Sequence, residues 1–272
     1  MKDKLKLWDA HPSWDAAERQ WDQTQEKLRL EAPLKQLSHL PTMPGITSQT
    51  KRALKWKSLN YLIKHDKKRV LPRYFFKSPL RYLVNFLKSA VKKKSYSRDG
   101  DFFLYGLGSI DHFKSLLEDS DSLLVVGFSY CHKPFECPSG RFTDTCRHEL
   151  DHPICRQCFI GKAVHALPND AVIPLFIPTI HYIGEKIFEI VHKHSDKKIL
   201  FIITACELTL EMFGDWGNMT GIRGIGVRLD GRICNTMDAF ILSEEGIKPG
   251  LTVVLDETQK RLLDLIRHRR ER

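Results

Sequence analysis

The chain has 272 residues, of which 42% are hydrophobic and 10% aromatic. This composition is sufficient for a full core, so it excludes a disordered protein and predicts one large domain with an extension, or two small domains. The formal net charge is +10 at pH 7, but its distribution is uneven. Between Lys51 and Arg98 there are sixteen Lys and Arg against one acid, Asp66, and the rest of the chain is mildly acidic.

The chain begins "MKDKLKLWDAHPSW", which lacks the apolar stretch of a secretory signal. No window reaches the roughly 18 apolar residues that a membrane span requires. We therefore expect a cytoplasmic protein, with peripheral contact to a membrane as an option. In a reducing compartment disulfides are uncommon, and clustered cysteines more often bind metal or carry out chemistry.

Residues 1–45 are predicted to form a helical arm. Trp14, Ala17, Trp21 and Leu28 fall on one face of a helix, and we expect this face to dock on the main domain. The stretch "HLPTMPG", with two prolines and a glycine, then breaks the chain.

Residues 46–100 form the basic segment, and its second half predicts an amphipathic helix. Ser78 is a suitable N-cap, Pro79 suits the first helical position, and Leu83, Phe86 and Leu87 share one face. Charge runs on helices are usually solvated faces. Because aromatic residues alternate with the charges here, two partners stay open as well: an anionic membrane surface, or the phosphates of a nucleic acid.

Residues 101–272 alternate apolar runs with helical stretches, which predicts a doubly wound α/β domain with a mainly parallel sheet. Pro174 within "AVIPLFI" argues for an edge or irregular position of this strand, and Gly214 is expected to end the helix that follows Cys206. The usual nucleotide-binding and hydrolase motifs, G-x-G-x-x-G, G-x-x-x-x-G-K-[ST] and G-x-S-x-G, are absent from the sequence.

Five of the seven cysteines lie in one long loop after the strand "SLLVVGFSY". The intervals between them are five, eight, eight and two residues, so only the last two form a C-x-x-C knuckle. Such a long loop needs a function or an internal staple, and a metal would provide both. Tetrahedral zinc and an iron–sulfur cluster both accept four Cys ligands, and nearby histidines are possible substitutes. The five cysteines are Cys131, Cys137, Cys146, Cys155 and Cys158, and the histidines are His132, His148, His152 and His165.

Cys206 and Cys234 lie outside this loop, each after a predicted strand. In a parallel sheet both would lie at the carboxyl edge, where ligands bind in α/β proteins. Cys206 also opens a helix, whose dipole should lower the pKa of its thiol, and Glu207 beside it is a candidate proton acceptor. The alternative for each cysteine is a buried, inert thiol.

Four stretches resemble, in the same order, an uncharacterised family of cysteine-rich bacterial and archaeal proteins called "domain of unknown function 116". They are "SYCHKPFEC", "CRQCFIG", "ITACE" and "GIRGIGVRLDGRICNT", within residues 122–241. The resemblance implies that six cysteines are family positions, with Cys146 as an alternate. These six are Cys131, Cys137, Cys155, Cys158, Cys206 and Cys234. Members of that family often have hydrophobic amino-terminal spans, whereas this chain has the basic segment.

Three functional hypotheses follow. The first is a metal-binding protein in which Cys131, Cys137, Cys155 and Cys158 hold zinc or an iron–sulfur cluster, with Cys206 and Cys234 as further ligands or a reactive pair. The second is a thiol-dependent or redox enzyme that uses Cys206, activated by the helix terminus and by Glu207 or a nearby histidine as base. The third is a binding module for nucleic acid or a membrane surface, in which a metal only stabilises the fold.

Overall fold

The computed structural model describes residues 5–35, 46–52, 54–91, 96–231, 233–248 and 250–272. Its centre is a six-stranded sheet with the order β1-β2-β6-β5-β3-β4, in which the last four strands are parallel. β2 pairs antiparallel with β6, and β7 and β8 form a separate two-stranded ladder. The strands are β1 (Ser97–Asp99), β2 (Phe102–Tyr105), β3 (Ser122–Ser129), β4 (Val172–Ile177), β5 (Lys198–Ala205), β6 (Arg223–Arg228), β7 (Asp230–Gly231) and β8 (Thr252–Val253).

Helices cover both faces of the sheet, so the predicted doubly wound α/β class is confirmed. One core contains side chains of α1, α6, α8 and α12, and the other contains side chains of α3, α9, α10 and α11. The helices are α1 (Trp14–Glu31), α2 (Ser48–Lys51), α3 (Leu54–His65), α4 (Val70–Phe75), α5 (Pro79–Val91), α6 (Ile110–Leu117), α7 (Pro153–Gln157), α8 (Phe159–Ala166), α9 (Ile180–Lys193), α10 (Glu207–Thr220), α11 (Met237–Glu244) and α12 (Asp256–Arg270). None of the described helices has the length and hydropathy needed to cross a membrane.

Strand composition determines strand position. Every residue of β3 is buried, as expected for an apolar strand in the middle of a parallel sheet. β4 lies at the edge, where the missing amide proton of Pro174 costs no ladder hydrogen bond. Of the two positions predicted for this proline, an edge strand or an irregular one, the structure has the edge strand.

The predicted end of α10 at Gly214 is wrong. The helix continues to Thr220 and ends at Gly221, which has the left-handed backbone angle φ 78°. Gly221 donates its N–H to the carbonyl oxygens of Gly217 and Asn218, which caps the helix. A glycine inside a helix is tolerated where packing supports it, so residue type alone did not identify the terminus.

The N-terminal arm docks through three of the four residues of its predicted face, and the fourth, Leu28, is only half-buried. Trp14, Ala17 and Trp21 are buried against the main core, and Trp21 is fully inaccessible. Replacing such an indole with alanine would cost about 3–5 kcal/mol. The predicted chain break at 39–45 lies outside the described residues.

The cysteine loop has an internal staple made of protein. Between Lys133 and His152 the chain forms neither helix nor strand. The buried Lys133 ammonium donates to the carbonyl oxygens of Gly140, Thr143 and Thr145 at 3.2, 2.8 and 2.8 Å. These bonds give the buried ammonium three acceptors and give three backbone carbonyl oxygens of the loop a donor. The loop is therefore held in shape by the Lys133 side chain.

Candidate functional site

Three cysteines from distant parts of the chain meet at the carboxyl edge of the sheet, and we call them the edge thiols. Cys131 lies in a short 3-10 turn directly after β3, Cys206 is the N-cap of α10 directly after β5, and Cys234 follows the β6–β7 region. All three are buried, with exposed fractions of 3–4%. The parallel strands bring them together because their carboxyl ends share one edge.

A buried lysine supplies positive charge to the edge thiols. Lys248 Nζ lies 3.1 Å from Cys131 Sγ and 3.8 Å from Cys234 Sγ. Arg141 fixes the backbone around this lysine by donating to the carbonyl oxygens of Lys248 and Gly250 at 3.1 and 2.7 Å. A buried ammonium without a counter-charge is costly, so this arrangement favours thiolate over thiol.

The thiolate is placed on Cys234. A hydrogen bond from the Cys206 thiol, the Lys248 ammonium and a hydrogen bond with Ser243 lower the pKa of Cys234 to about 6, against the effect of burial. The same hydrogen bond to Cys234, together with burial, raises the pKa of Cys206 well above its ordinary value. The helix dipole was expected to lower the pKa of Cys206, whereas burial and the hydrogen bond that Cys206 donates to Cys234 act in the opposite direction.

The surroundings of the edge thiols are polar and hydrogen-bonded. The Tyr130 hydroxyl donates to the carbonyl oxygen of Ser243 at 2.9 Å, and Thr252 donates to the carbonyl oxygen of Cys131 at 2.5 Å. Burial, followed by the electrostatic effect of Cys131, raises the pKa of Tyr130, so this phenol stays neutral. These bonds link the 3-10 turn after β3 to α11 and β8, and they hold the site in one geometry.

A carboxyl group that the sequence analysis did not predict, that of Glu244, lies beside the edge thiols. Glu244 lines a cavity of about 30 Å³ together with all three edge thiols. Its Oε2 accepts a hydrogen bond from the N–H of Ile180 at 2.7 Å, and burial raises its pKa to about 8. A cavity of this size holds one water-sized molecule. Glu244 is thus a carboxyl group that can exchange a proton near neutral pH beside the cavity.

Glu207, the predicted base, has a cationic partner. Its carboxylate accepts from Arg98 at 3.2 Å. It also contributes to the fields at Tyr96, Asp230 and Arg228. Glu207 is therefore bound into a neighbouring cluster of charges, although it follows Cys206 directly in the chain.

The four remaining cysteines, Cys137, Cys146, Cys155 and Cys158, are the loop thiols. Burial, followed by electrostatic effects that include the Cys146 and Cys137 thiols, raises the pKa of Cys158 to about 12. Burial and the Cys137 and Cys155 thiols likewise raise the pKa of Cys146 to about 11. The loop thiols thus act on one another, and Cys146 belongs with them, whereas Cys131 belongs with Cys206 and Cys234.

Within the described residues, which include all seven cysteines, no three His, Cys, Asp or Glu side chains are arranged to hold a metal ion. The four candidate histidines have structural contacts. His132 stacks on Phe159, with ring centroids 5.3 Å apart, and His152 accepts from the N–H of Ile154. His148 and His165 form an edge-on ring pair 5.6 Å apart.

Sequence reasoning missed Lys248 and Glu244. Lys248 is 117 residues from Cys131, so no local spacing links them. Glu244 ends α11, and a terminal helical glutamate usually faces solvent. The sequence did indicate that the carboxyl ends of the parallel strands share one edge of the sheet. That rule identifies the edge at which the site lies, but not the loops that cover this edge.

Comparison of the chain with protein family models, with curated proteins and with solved structures gave no match. The family resemblance seen in the sequence therefore stays a prediction, and the chemistry at the sheet edge has to be inferred from its own residues.

Proposed function

We propose that this protein carries out thiol redox chemistry at the edge thiols, with Cys234 as the reacting thiolate and Cys206 as the thiol that resolves it to a disulfide. One observation carries the proposal: a buried ammonium and a neighbouring thiol both stabilise the Cys234 thiolate. Reactive cysteines occur in such electropositive surroundings, whereas inert buried cysteines have raised pKa values.

The proposed reaction uses a small hydroperoxide as oxidant. The Cys234 thiolate attacks one peroxide oxygen, the O–O bond breaks, and the leaving hydroxide takes a proton to become water, which leaves a sulfenic acid on Cys234. The Cys206 sulfur then displaces the sulfenic hydroxyl as a second water and forms the Cys206–Cys234 disulfide. Two thiols lose two electrons in total and one hydrogen peroxide becomes two waters.

The cavity supports a small oxidant. Its volume of about 30 Å³ and the 3–4% exposure of the edge thiols exclude a bulky disulfide substrate from this closed arrangement. In the proposed steps Glu244, which its raised pKa of about 8 keeps protonated at neutral pH, gives its proton to the leaving hydroxide and then, as a carboxylate, takes the proton of Cys206, because its carboxyl group lines the same cavity. Lys248 stabilises the thiolate before the attack.

Stoichiometric hydrogen peroxide, peptide mapping and a sulfenic acid trap test this proposal. The native protein should form the Cys206–Cys234 disulfide, and Cys206→Ser should instead accumulate trappable sulfenic acid on Cys234. Cys234→Ser should show neither product. Cys137→Ser is the matched control, because it removes a thiol outside the edge group and should leave the disulfide intact. Oxidation that begins at the loop thiols and spares Cys234 would contradict the proposal.

A second candidate function, metal binding, is proposed for the loop thiols. Their mutual electrostatic effects support it, since these effects place the loop thiols near one another, and a cation bound among them would favour the thiolate forms that burial disfavours. The C-x-x-C knuckle adds support, because Cys158 donates its N–H to the carbonyl oxygen of Cys155 at 3.3 Å and closes a tight turn. Both zinc and an iron–sulfur cluster suit four thiolates.

Metal analysis and absorbance spectra of protein purified without oxygen test this candidate. Stoichiometric zinc or iron should be lost in Cys155→Ser/Cys158→Ser and kept in Cys206→Ser/Cys234→Ser. Loss in both variants would instead favour one centre shared by the edge and loop thiols. Native protein without zinc or iron would refute metal binding and leave the redox proposal in place.

A further inference from the structure

Helices α3 to α5 present large apolar side chains to solvent, and we call these residues the apolar face. On α5, Leu80, Leu83, Val84 and Leu87 are 46–78% exposed. The other members of the apolar face are Trp56 and Ile63 on α3 and Phe76 after α4, all of which are 66–75% exposed. A cluster of exposed apolar side chains of this size marks an interaction surface.

The apolar face is held outward by the side of α5 that packs on the domain. Tyr82 is buried against Phe188 of α9 and Met219 of α10. Asn85 donates to the carbonyl oxygen of Met219 at 3.3 Å. Because these contacts orient α5, the leucines on its opposite side cannot turn inward to the core.

A groove continues the apolar face between the helices. It has a volume of about 370 Å³, and all of its lining side chains are apolar. Ile63, Phe76 and Leu83 belong to both the groove and the apolar face. The groove is therefore open to an apolar occupant.

Positive charge surrounds the apolar face. Exposed cations occur along α3 to α5 and their connections, at Lys64, Lys67, Lys68, Arg69, Arg73, Lys77, Arg81 and Lys88. The segment from Lys51 to Arg98 contains one acid, Asp66, and its carboxylate accepts from the N–H of Val70 at 2.8 Å. This acid caps α4, and the charge that the segment offers to a partner is positive.

We propose that the apolar face docks on an anionic lipid bilayer, with its aliphatic and aromatic side chains inserted among the acyl chains and its cations against the headgroups. Helices that lie in the interface combine such an apolar face with flanking Lys and Arg. The phosphates of a nucleic acid would bind the cations, but they would leave the exposed leucines of the apolar face in contact with water. This docking is independent of the thiol chemistry and needs no membrane-spanning helix.

Co-sedimentation of the full chain with vesicles tests the proposal. Vesicles of phosphatidylcholine with about 30% phosphatidylserine should bind the protein, and vesicles of phosphatidylcholine alone should bind it at least about tenfold more weakly. Leu83→Ser/Leu87→Ser should lower binding to the anionic vesicles by about tenfold or more. The matched control is Leu30→Ser on α1, whose leucine is 80% exposed and lies outside the apolar face. It should bind like the native protein.

Three outcomes would overturn the proposal. The first is absence of binding to anionic vesicles. The second is binding that high salt abolishes but that the double leucine variant leaves unchanged, which would mean surface charge without insertion. The third is retention on nucleic acid, or on an acidic protein, with no retention on vesicles. Circular dichroism checks that each variant is folded, so that a loss of binding can be attributed to the substituted surface residues.

Discussion

Replacing Lys248 with methionine removes the positive charge next to the edge thiols while keeping a long side chain. Its ammonium lies 3.8 Å from Cys234 Sγ. Two unit charges about 4 Å apart attract by about 4 kcal/mol at an effective dielectric constant of about 20. Since about 1.4 kcal/mol corresponds to one pKa unit, we expect the pKa of Cys234 to rise by about 3 units.

The informative assay is the pH dependence of alkylation at Cys234, followed by peptide mass spectrometry from pH 5 to pH 10. The native midpoint is expected near 6, which is the pKa that the structure gives for this thiol. Lys248→Met should move the midpoint to about 9. The rate at a single pH is a weaker readout, because a thiolate of higher pKa is intrinsically more nucleophilic and compensates for its lower population.

Lys248→Arg serves as the matched control, since it keeps the charge and should keep a low midpoint. Lys186→Met, at a surface lysine paired with Glu189, controls for a general change in net charge. An unchanged midpoint in folded Lys248→Met would refute the claim that this ammonium stabilises the thiolate. In that case the stabilisation of a thiolate by Lys248 would no longer distinguish the edge thiols from inert buried cysteines.

Three further predictions concern stability and are measured by urea unfolding. Gly161→Ala should destabilise the protein by at least about 2 kcal/mol, because an added Cβ would lie 2.3 Å from the backbone oxygen of Cys155. Gly184→Ala is the control: an added Cβ there has no other atom within 4 Å, so this variant should be neutral or more stable. Equal effects of the two substitutions would refute this reasoning. Glu244→Gln should gain stability relative to the native protein as the pH rises from 4.5 to 8, by at least about 2 kcal/mol at pH 9. The sign follows because the raised pKa of Glu244 stabilises the native protein at low pH, and this stabilisation is lost as the pH rises through about 8. A stability difference between the two proteins that does not change with pH would contradict this prediction. Lys133→Met should destabilise the protein by about 1–3 kcal/mol and open the loop to proteases, since several carbonyl oxygens lose a buried donor. An unchanged cleavage rate would show that the loop does not depend on this lysine.

The fold class followed from the sequence because it depends on local patterns. The buried strands β3 and β5 are short apolar runs, and α9 carries isoleucines at helical spacing, so periodicity was sufficient to identify them. Alternation of strands and helices then implied a parallel sheet. The same rule predicted that Cys206 and Cys234 share the carboxyl edge, and the structure places both there.

The partition of the cysteines was decided only by tertiary structure. Cys131 is adjacent to the loop thiols in sequence, yet its sulfur contacts Lys248, because the turn after β3 directs it under the loop that precedes β8. Cys206 and Glu207 are neighbours in the chain and take part in different clusters. The contacts Lys248–Cys131 and Arg98–Glu207 join residues more than 100 positions apart, and such distances are set by packing of the whole chain. Sequence thus specified the edge at which chemistry would lie, and packing specified which side chains share it.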